Sequence, residues 1–283
     1  MPVEQVTSMY SESKSERVAS VLVVYDWEGK LDRQAWVDLG LRFFERIGRV
    51  PNSADYVRDN GKSGKVKPNN LLTSILNKEI IAAGLSRLLP PFKDMNHYSD
   101  QCGFHDSGGR DRVIYFCYEN NALDAKLFID LVVSVASIVR PTYGIGVQWS
   151  FKRGPAFFPY NIVYGDQSQE EADQWALWRA ERTDMIIQRK LAPFRHLHGW
   201  LRDVYPFNVL SEYHLRQMVG GVTFRVWIES AAGKRGHLLE VVQGTWVWTA
   251  ASNQIADIRK VLQATGLLIS RPAENLGLTS GRA

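Results

Sequence analysis

Apolar positions along this chain come in two rhythms. Val18 to Trp27, VASVLVVYDW, is an almost unbroken β-branched and apolar run, the pattern of a buried strand. From Asp32 to Ile47 the rhythm lengthens. Trp36, Leu39, Phe43, Phe44 and Ile47 recur at three- and four-residue steps, which places them on one face of a helix that Gly48 and Pro51 end. Leu71 to Ala83 carries a weaker helical period, Arg112 to Tyr118 (RVIYFCY) reads as a strand, and Leu123 to Val139 as an apolar helix stopped by Pro141. Tyr143 to Phe151 and Ala156 to Tyr164 read as neighbouring strands joined by the turn-forming KRGP of Lys152 to Pro155.

Further on, Gln169 to Lys190 has the period of a long helix broken by Pro193, and Gly199 to Met218, interrupted by Pro206, reads as a loop with a short helix. His237 to Val242 and Thr245 to Thr249 form a hairpin about the Gln243-Gly244 turn, and Asn253 to Ala264 a last helix closed by Gly266. Strands and helices mix without a strict βαβ alternation. The fold class expected is therefore α+β, a mixed and mainly antiparallel sheet with packed helices. Residues 1–17 and 270–283 read as flexible tails around one domain over 18–269, with the acidic stretch near Asp166 as the candidate boundary if there are two lobes.

Composition narrows the class. The 34 basic residues nearly match the 30 acidic ones, so the net charge of +4 is far from the clustered excess of a dedicated DNA-binding domain. The one base-rich stretch, Arg58 to Asn70 with Lys62, Lys65 and Lys67, is broken by glycine and asparagine and reads as a solvated mobile loop; its GKSGK lacks the spacing of a phosphate-binding loop. The alternative for it is nucleic-acid binding. Two cysteines, Cys102 and Cys117, cannot frame a disulfide scaffold and fit a reducing compartment. No apolar leader opens the chain, and the longest apolar stretch, Leu127 to Val139, contains Asp130 and is too short to span a bilayer, so the expected location is cytoplasmic.

No catalytic pattern in the chain is complete. His196 and His198, two apart with His214 downstream, are the candidate metal set, but they flank a tryptophan-bearing turn with no HExxH or facial-triad context. Asp124 and Lys126 match half of a nuclease motif, with Asp111 upstream. They open an apolar helix, where positions two apart diverge and an acid simply complements the dipole. There is no GxSxG elbow and no GxGxxG loop, and Cys117 sits in an apolar strand as a small hydrophobe would. The expectation is no catalytic residue, no metal and no cofactor. The rival is a metal-dependent hydrolase or nuclease built on the residues just named.

What remains is a surface for a partner. In DQSQEEADQWALW, Asp166, Glu170, Glu171 and Asp173 stand without a base among them, and Trp175 and Trp178 follow at a three-residue step. The structural reading is dipole-complementing acids over core tryptophans. The functional reading is an acidic, aromatic patch, with charge steering an encounter and tryptophan anchoring it.

PTYGIGVQWSFKRGPAFFPYNIVYGD, from Pro141 to Asp166, and the phrases LRDVYPFNVLSEYHL, VGGVTFRVWI and LLEVVQGTWVWTA, the last ending at Ala250, carry a resemblance. The chain resembles, over about residues 20 to 265, immunity-protein family fifty-two of bacterial polymorphic-toxin and type VI secretion systems. That resemblance implies a non-enzymatic cytoplasmic α+β protein that neutralises a cognate toxin, usually a nuclease of restriction-endonuclease type. The partner expected is thus a DNase effector protein, with no direct contact to nucleic acid or membrane. A net basic chain departs from the acidic character of a nucleic-acid mimic. The resemblance therefore points to inhibition by shape and aromatic burial, or at a site away from the DNA cleft.

Overall fold

The computed structural model describes residues 17–76, 78–88, 98–106, 112–120, 124–160, 168–169, 171–178 and 199–269. Its organising element is β1 (Val18–Glu28), the apolar run of the sequence, which pairs antiparallel with β6 (Arg112–Glu119) on one side and β7 (Arg140–Ser150) on the other. Around it lies a ten-stranded sheet in the order β11-β12-β8-β7-β1-β6-β5-β4-β2-β3. The remaining strands are β2 (Ser53–Arg58), β3 (Ser63–Val66), β4 (Ile80–Leu88), β5 (Tyr98–Asp106), β8 (Phe207–Ser211), β11 (His237–Val242) and β12 (Thr245–Thr249), and all the pairings are antiparallel. A separate two-strand ribbon joins β9 (Met218–Val219) to β10 (Val222–Thr223). The expected α+β class with a mainly antiparallel sheet is the one observed. β7 and β8, on either side of residue 166, pair in the same sheet.

The two faces of the sheet carry separate cores. Over the first lie α1 (Arg33–Arg46), α2 (Leu71–Ile75) and α3 (Ala125–Ala136). Asp32 caps α1 by accepting from the Ala35 amide at 3.1 Å, and Trp36, Leu39, Phe43 and Phe44 all point inward as their spacing predicts. Gly40 lets this helix lie close: a Cβ there would stand 2.9 Å from Leu85 Cδ1 and 3.0 Å from Cys102 Sγ. Trp36 meets Phe104 edge-on at 4.7 Å, and Phe43 meets Phe116 at 5.2 Å. Over the second face lie α4 (residues 171–178), α5 (Glu212–Leu215), α6 (Phe224–Glu229) and α7 (Ser252–Ala264).

β1 feeds both cores by strict alternation as far as Tyr25. Leu22 and Val24 face the first, Val21, Val23 and Tyr25 the second. Trp27 should then share the face of Tyr25, yet it belongs to the first core. The cause is Asp26, whose φ of 53° is left-handed; that single inversion turns the chain over. Aspartate tolerates this conformation better than most residues, and here its Oδ1 accepts the following amide, Trp27 N, at 2.9 Å.

Several expectations need correcting. The basic stretch from Arg58 is no loose loop but the β2–β3 hairpin, because Gly61 (φ +76°) closes a tight turn in which Arg58 N donates to Lys62 O at 2.9 Å. The helix expected over Leu71 to Ala83 stops at Ile75, and β4 begins at Ile80. The helix expected up to Val139 ends at Ala136, and Pro141 lies within β7, opposite Trp27, beyond the reach of β8 on the other side. The strand expected from Ala156 is a 3-10 segment, Pro155–Tyr160, since Pro155 and Pro159 lack the amides a ladder needs. Phe207–Ser211, expected in a loop, is a wholly buried strand. Residues 1–16 and 270–283 of the expected tails, residues 161–164 of the strand expected from Ala156, and residues 170 and 179–190 of the long helix lie outside the described residues. The strand at 18–27, the helix at 32–47, the hairpin at 237–249 and the last helix with its Gly266 cap (φ +76°) stand as read.

The Asp26 inversion yields a test of the fold. Asp26→Val, β-branched and disfavoured at positive φ, should cost about 1–2 kcal/mol in urea unfolding, while Asp26→Asn should cost less than about half as much. Equal losses would show that the backbone conformation is not what Asp26 supplies.

Candidate functional site

The feature of the second core that composition alone did not suggest is a buried cation. Residues 199–206 run under the sheet's second face, held by main-chain bonds: Leu201 N donates to Leu267 O at 3.0 Å and Ile269 N to Leu201 O at 2.8 Å. Gly199, at φ +103°, makes the turn, and the Trp200 indole donates to Gly266 O at 3.1 Å. This brace leaves Arg202 pointing inward, 3% exposed. Its backbone amide donates to the Tyr143 hydroxyl at 3.2 Å, and its Nη1 donates to the Tyr25 hydroxyl. The guanidinium carbon stands 4.7 Å from the Trp178 ring centre, 4.9 Å from that of Tyr25 and 5.9 Å from that of Trp175. Burial pushes the Tyr143 and Tyr205 hydroxyls up, against the opposing pull of Arg202, so both phenols stay neutral at ordinary pH and neither supplies a counter-charge.

A cavity of about 550 Å³ adjoins this residue, lined by Trp149, Trp175, Trp178, Tyr205, Ile255 and Leu268 among others. Its wall is built by docking α4. Ser168 Oγ accepts from the Glu171 amide at 3.1 Å, Glu171 pairs with Arg153, and the Gln174 side chain donates to Ile269 O at 2.8 Å. Trp175 meets Trp149 at 5.7 Å, Phe158 at 5.5 Å and Trp178 at 5.0 Å. At the rim, Arg259 grips Asp203 with Nε and Nη2 at 2.6 and 2.9 Å.

The sequence-derived partner patch divides across this helix. Trp175 and Trp178 are 4% and 6% exposed and belong to the second core, so their reading as partner-facing anchors is corrected: at three-residue spacing both fall on the inner face. Glu171 is half-buried and ion-paired, Asp173 is exposed and accepts from Gln169 at 2.7 Å, and Asp166 and Glu170 lie outside the described residues. Arg202 itself was missed. An Arg-Asp pair between Leu201 and Val204 reads as surface, and nothing local signals that two tyrosines some sixty and one hundred and eighty residues away will enclose it.

Of the residues of the rival reading, Asp124, Lys126 and His214 are among the described ones. Asp124 caps α3 by accepting from Leu127 N at 3.0 Å, and both it and Lys126 are exposed; Asp111, His196 and His198 lie outside the described residues. His214 is buried, stacked on Tyr143 at 5.2 Å, and its Nδ1 accepts from the Ser211 amide at 3.2 Å, so the neutral ring carries its proton on Nε2 and acts as a cap. Among the described residues, no three His, Cys, Asp or Glu side chains gather as a metal set, and no helix is long and apolar enough to cross a membrane.

No protein-family model matches the chain, and no curated protein matches it. Among solved structures it is similar to one described as Pseudomonas aeruginosa T6SS protein PA0821, with 12% identity and a TM-score of 0.51, over 100% of this chain and 86% of that one. At that identity the likeness establishes a shared fold.

One chemical consequence of the geometry is directly testable. Cys102 and Cys117 are buried, and burial pushes both thiols up out of the range where thiolate forms. The native protein at about pH 8 should leave both unreacted with a thiol-disulfide exchange reagent, and both should react on denaturation. Rapid labelling of either in the folded state would expose a nucleophile that the structure conceals.

Proposed function

We propose that this chain is an immunity protein, which binds a cognate secreted toxin in the cytoplasm and neutralises it by stoichiometric occlusion, turning over no substrate. The observation that carries the reading is the likeness in fold, along the whole chain, to a T6SS protein. The immunity-type phrases between Pro141 and Ala250 add to it, and they supply the nuclease as the toxin class. Occlusion of that kind needs an interface on the order of 1,600 Å² with a few desolvated anchors.

The outer face of α4 is the part of the acidic patch that remains open to such a partner. Asp173 projects from it, and the tryptophans beneath hold the helix rigidly on the sheet. A rigid acidic face speeds the encounter with a basic cleft more than it adds affinity. The net charge of +4 favours an interface that rests on shape over simple mimicry of nucleic acid.

Co-expression with a candidate toxin gene from its genomic neighbourhood should restore survival, and the two proteins should co-elute in equal amounts. Continued killing with no co-elution would refute the reading. Asp173→Lys should weaken toxin binding about ten-fold in calorimetric titration at unchanged melting temperature. Unchanged affinity removes this face from the interface. Glu171→Lys is the poorer probe, since it also breaks the ion pair with Arg153 that docks the helix.

A further inference from the structure

Two arginines of this protein grip a carboxylate with two nitrogens, and both use the same edge. Arg17 offers Nε and Nη2 to the two oxygens of Glu119 at 2.6 and 3.0 Å, and Arg259 offers the same two nitrogens to Asp203. In Arg202 that edge is buried, and neither Nε nor Nη2 has a hydrogen-bond partner among the described residues. The two carboxylates that line the adjoining cavity are both engaged elsewhere, Asp203 by Arg259 and Glu171 by Arg153. Among the described residues, then, a full positive charge sits inside a ring-lined core with no carboxylate on its fork. Burial of a cation without a counter-charge is costly, and stacked aromatic faces return only part of that cost. A ligand carboxylate on the fork would supply the rest.

We propose that the cavity beside Arg202 binds a small apolar monocarboxylate. Its carboxylate takes the Nε and Nη2 edge of Arg202, and its hydrocarbon body packs against Trp149, Trp175, Ile255 and Leu268. The cavity's size, about 550 Å³, falls in the range of small-molecule sites; of the charged side chains in its lining, Asp203 is paired with Arg259 and Glu171 with Arg153, which leaves Arg202 as the one without a carboxylate among the described residues. A glutamate on a partner protein is the weaker candidate, because both fork nitrogens are shut off from solvent and a carboxylate tethered to a partner's backbone reaches them less readily than a free acid. Both fork nitrogens are shut off from solvent, so a ligand reaches them by turning a ring aside. Trp149, Trp175 and Trp178 line the cavity, which makes their fluorescence a direct reporter of entry. The inference does not depend on toxin binding, and its failure would leave that reading standing.

The test titrates the full chain with phenylbutyrate, and with the corresponding alcohol as the comparator that lacks the charge. The acid should quench tryptophan fluorescence saturably, occupy one site by calorimetry and raise the melting temperature, and the alcohol should bind at least about ten-fold more weakly. Arg202→Lys keeps the charge but loses the planar fork, and should weaken the acid by at least about ten-fold. Ile255→Trp fills the cavity without touching the guanidinium, and should abolish binding at a preserved melting temperature; it decides the matter should Arg202→Lys not fold. Equal affinity for acid and alcohol, no saturation at millimolar acid, or unchanged binding in either variant overturns the proposal. Saturation by acetyl-glutamate amide where phenylbutyrate fails also overturns it, in favour of a partner's side chain.

Discussion

Everything in this fold hangs on a strand that cannot be allowed to see water on either side. β1 is hydrogen-bonded along both edges and buried on both faces, so its alternation allots residues to two cores at once. A one-residue slip would exchange Leu22 and Val24 for Val21 and Val23, and every helix would then face the wrong set of side chains. The register is pinned by small residues as much as by large ones. Gly146 of β7 lies opposite Leu22, and a Cβ there would fall 2.1 Å from the Phe128 ring, which uses that space to reach Phe207 at 4.4 Å. Asp26 then releases the chain from the alternation at the point where Trp27 is needed beneath α1.

The two faces put this constraint to different use. The first is filled by aliphatic and aromatic side chains, and its charged groups stand at the margin. Asp100, fully buried in β5, is met by Arg49, by Arg87 at 2.8 Å and by the Glu119 amide at 3.1 Å, so its charge is matched where it sits. The second face encloses Arg202 among phenols and indoles, and among the described residues no carboxylate matches it. Both arrangements bury an ion, but among the described residues only the first satisfies it from within. A buried network that closes on itself rigidifies a core. One left open at a cavity wall is where a protein spends stability on something other than folding.

How much of this was legible follows from where each element gets its stability. β1, α1, the β11–β12 hairpin and α7 announce themselves, because each carries a local period or turn that also serves the whole fold. β2 (SADYVR), β3 (SGKV) and β5 (YSDQCGFHD) do not. Most of their residues are small or polar, and they become strands because neighbours offer a ladder, while Asp100 becomes buried because two arginines from other elements reach it. The candidate site was half legible for the same reason. The spacing of Trp175 and Trp178 fixes that they share a helix face, yet whether that face meets a partner or a core is decided by Trp149, Phe158 and Arg202, all far away in sequence. Arg202 had no local signature at all.

α4 joins the two proposals physically. One helix presents Asp173 outward and closes the Arg202 cavity with Trp175 and Trp178 inward, and it is fastened by an ion pair to Arg153 and a side-chain bond to Ile269. A ligand that turns one of those rings works directly on the seat of the helix. Two sites that share one movable element exert the same coupling on each other in both directions, so a carboxylate that altered the hold on a toxin would itself be held differently once the toxin was bound. The sign depends on whether the outer face is better formed with the rings in place or displaced. The packing favours the first: Trp175 touches Trp149, Phe158 and Trp178 together, and a displaced ring would surrender three aromatic contacts that keep the acidic face rigid. On that geometry a small acid would act against the toxin complex.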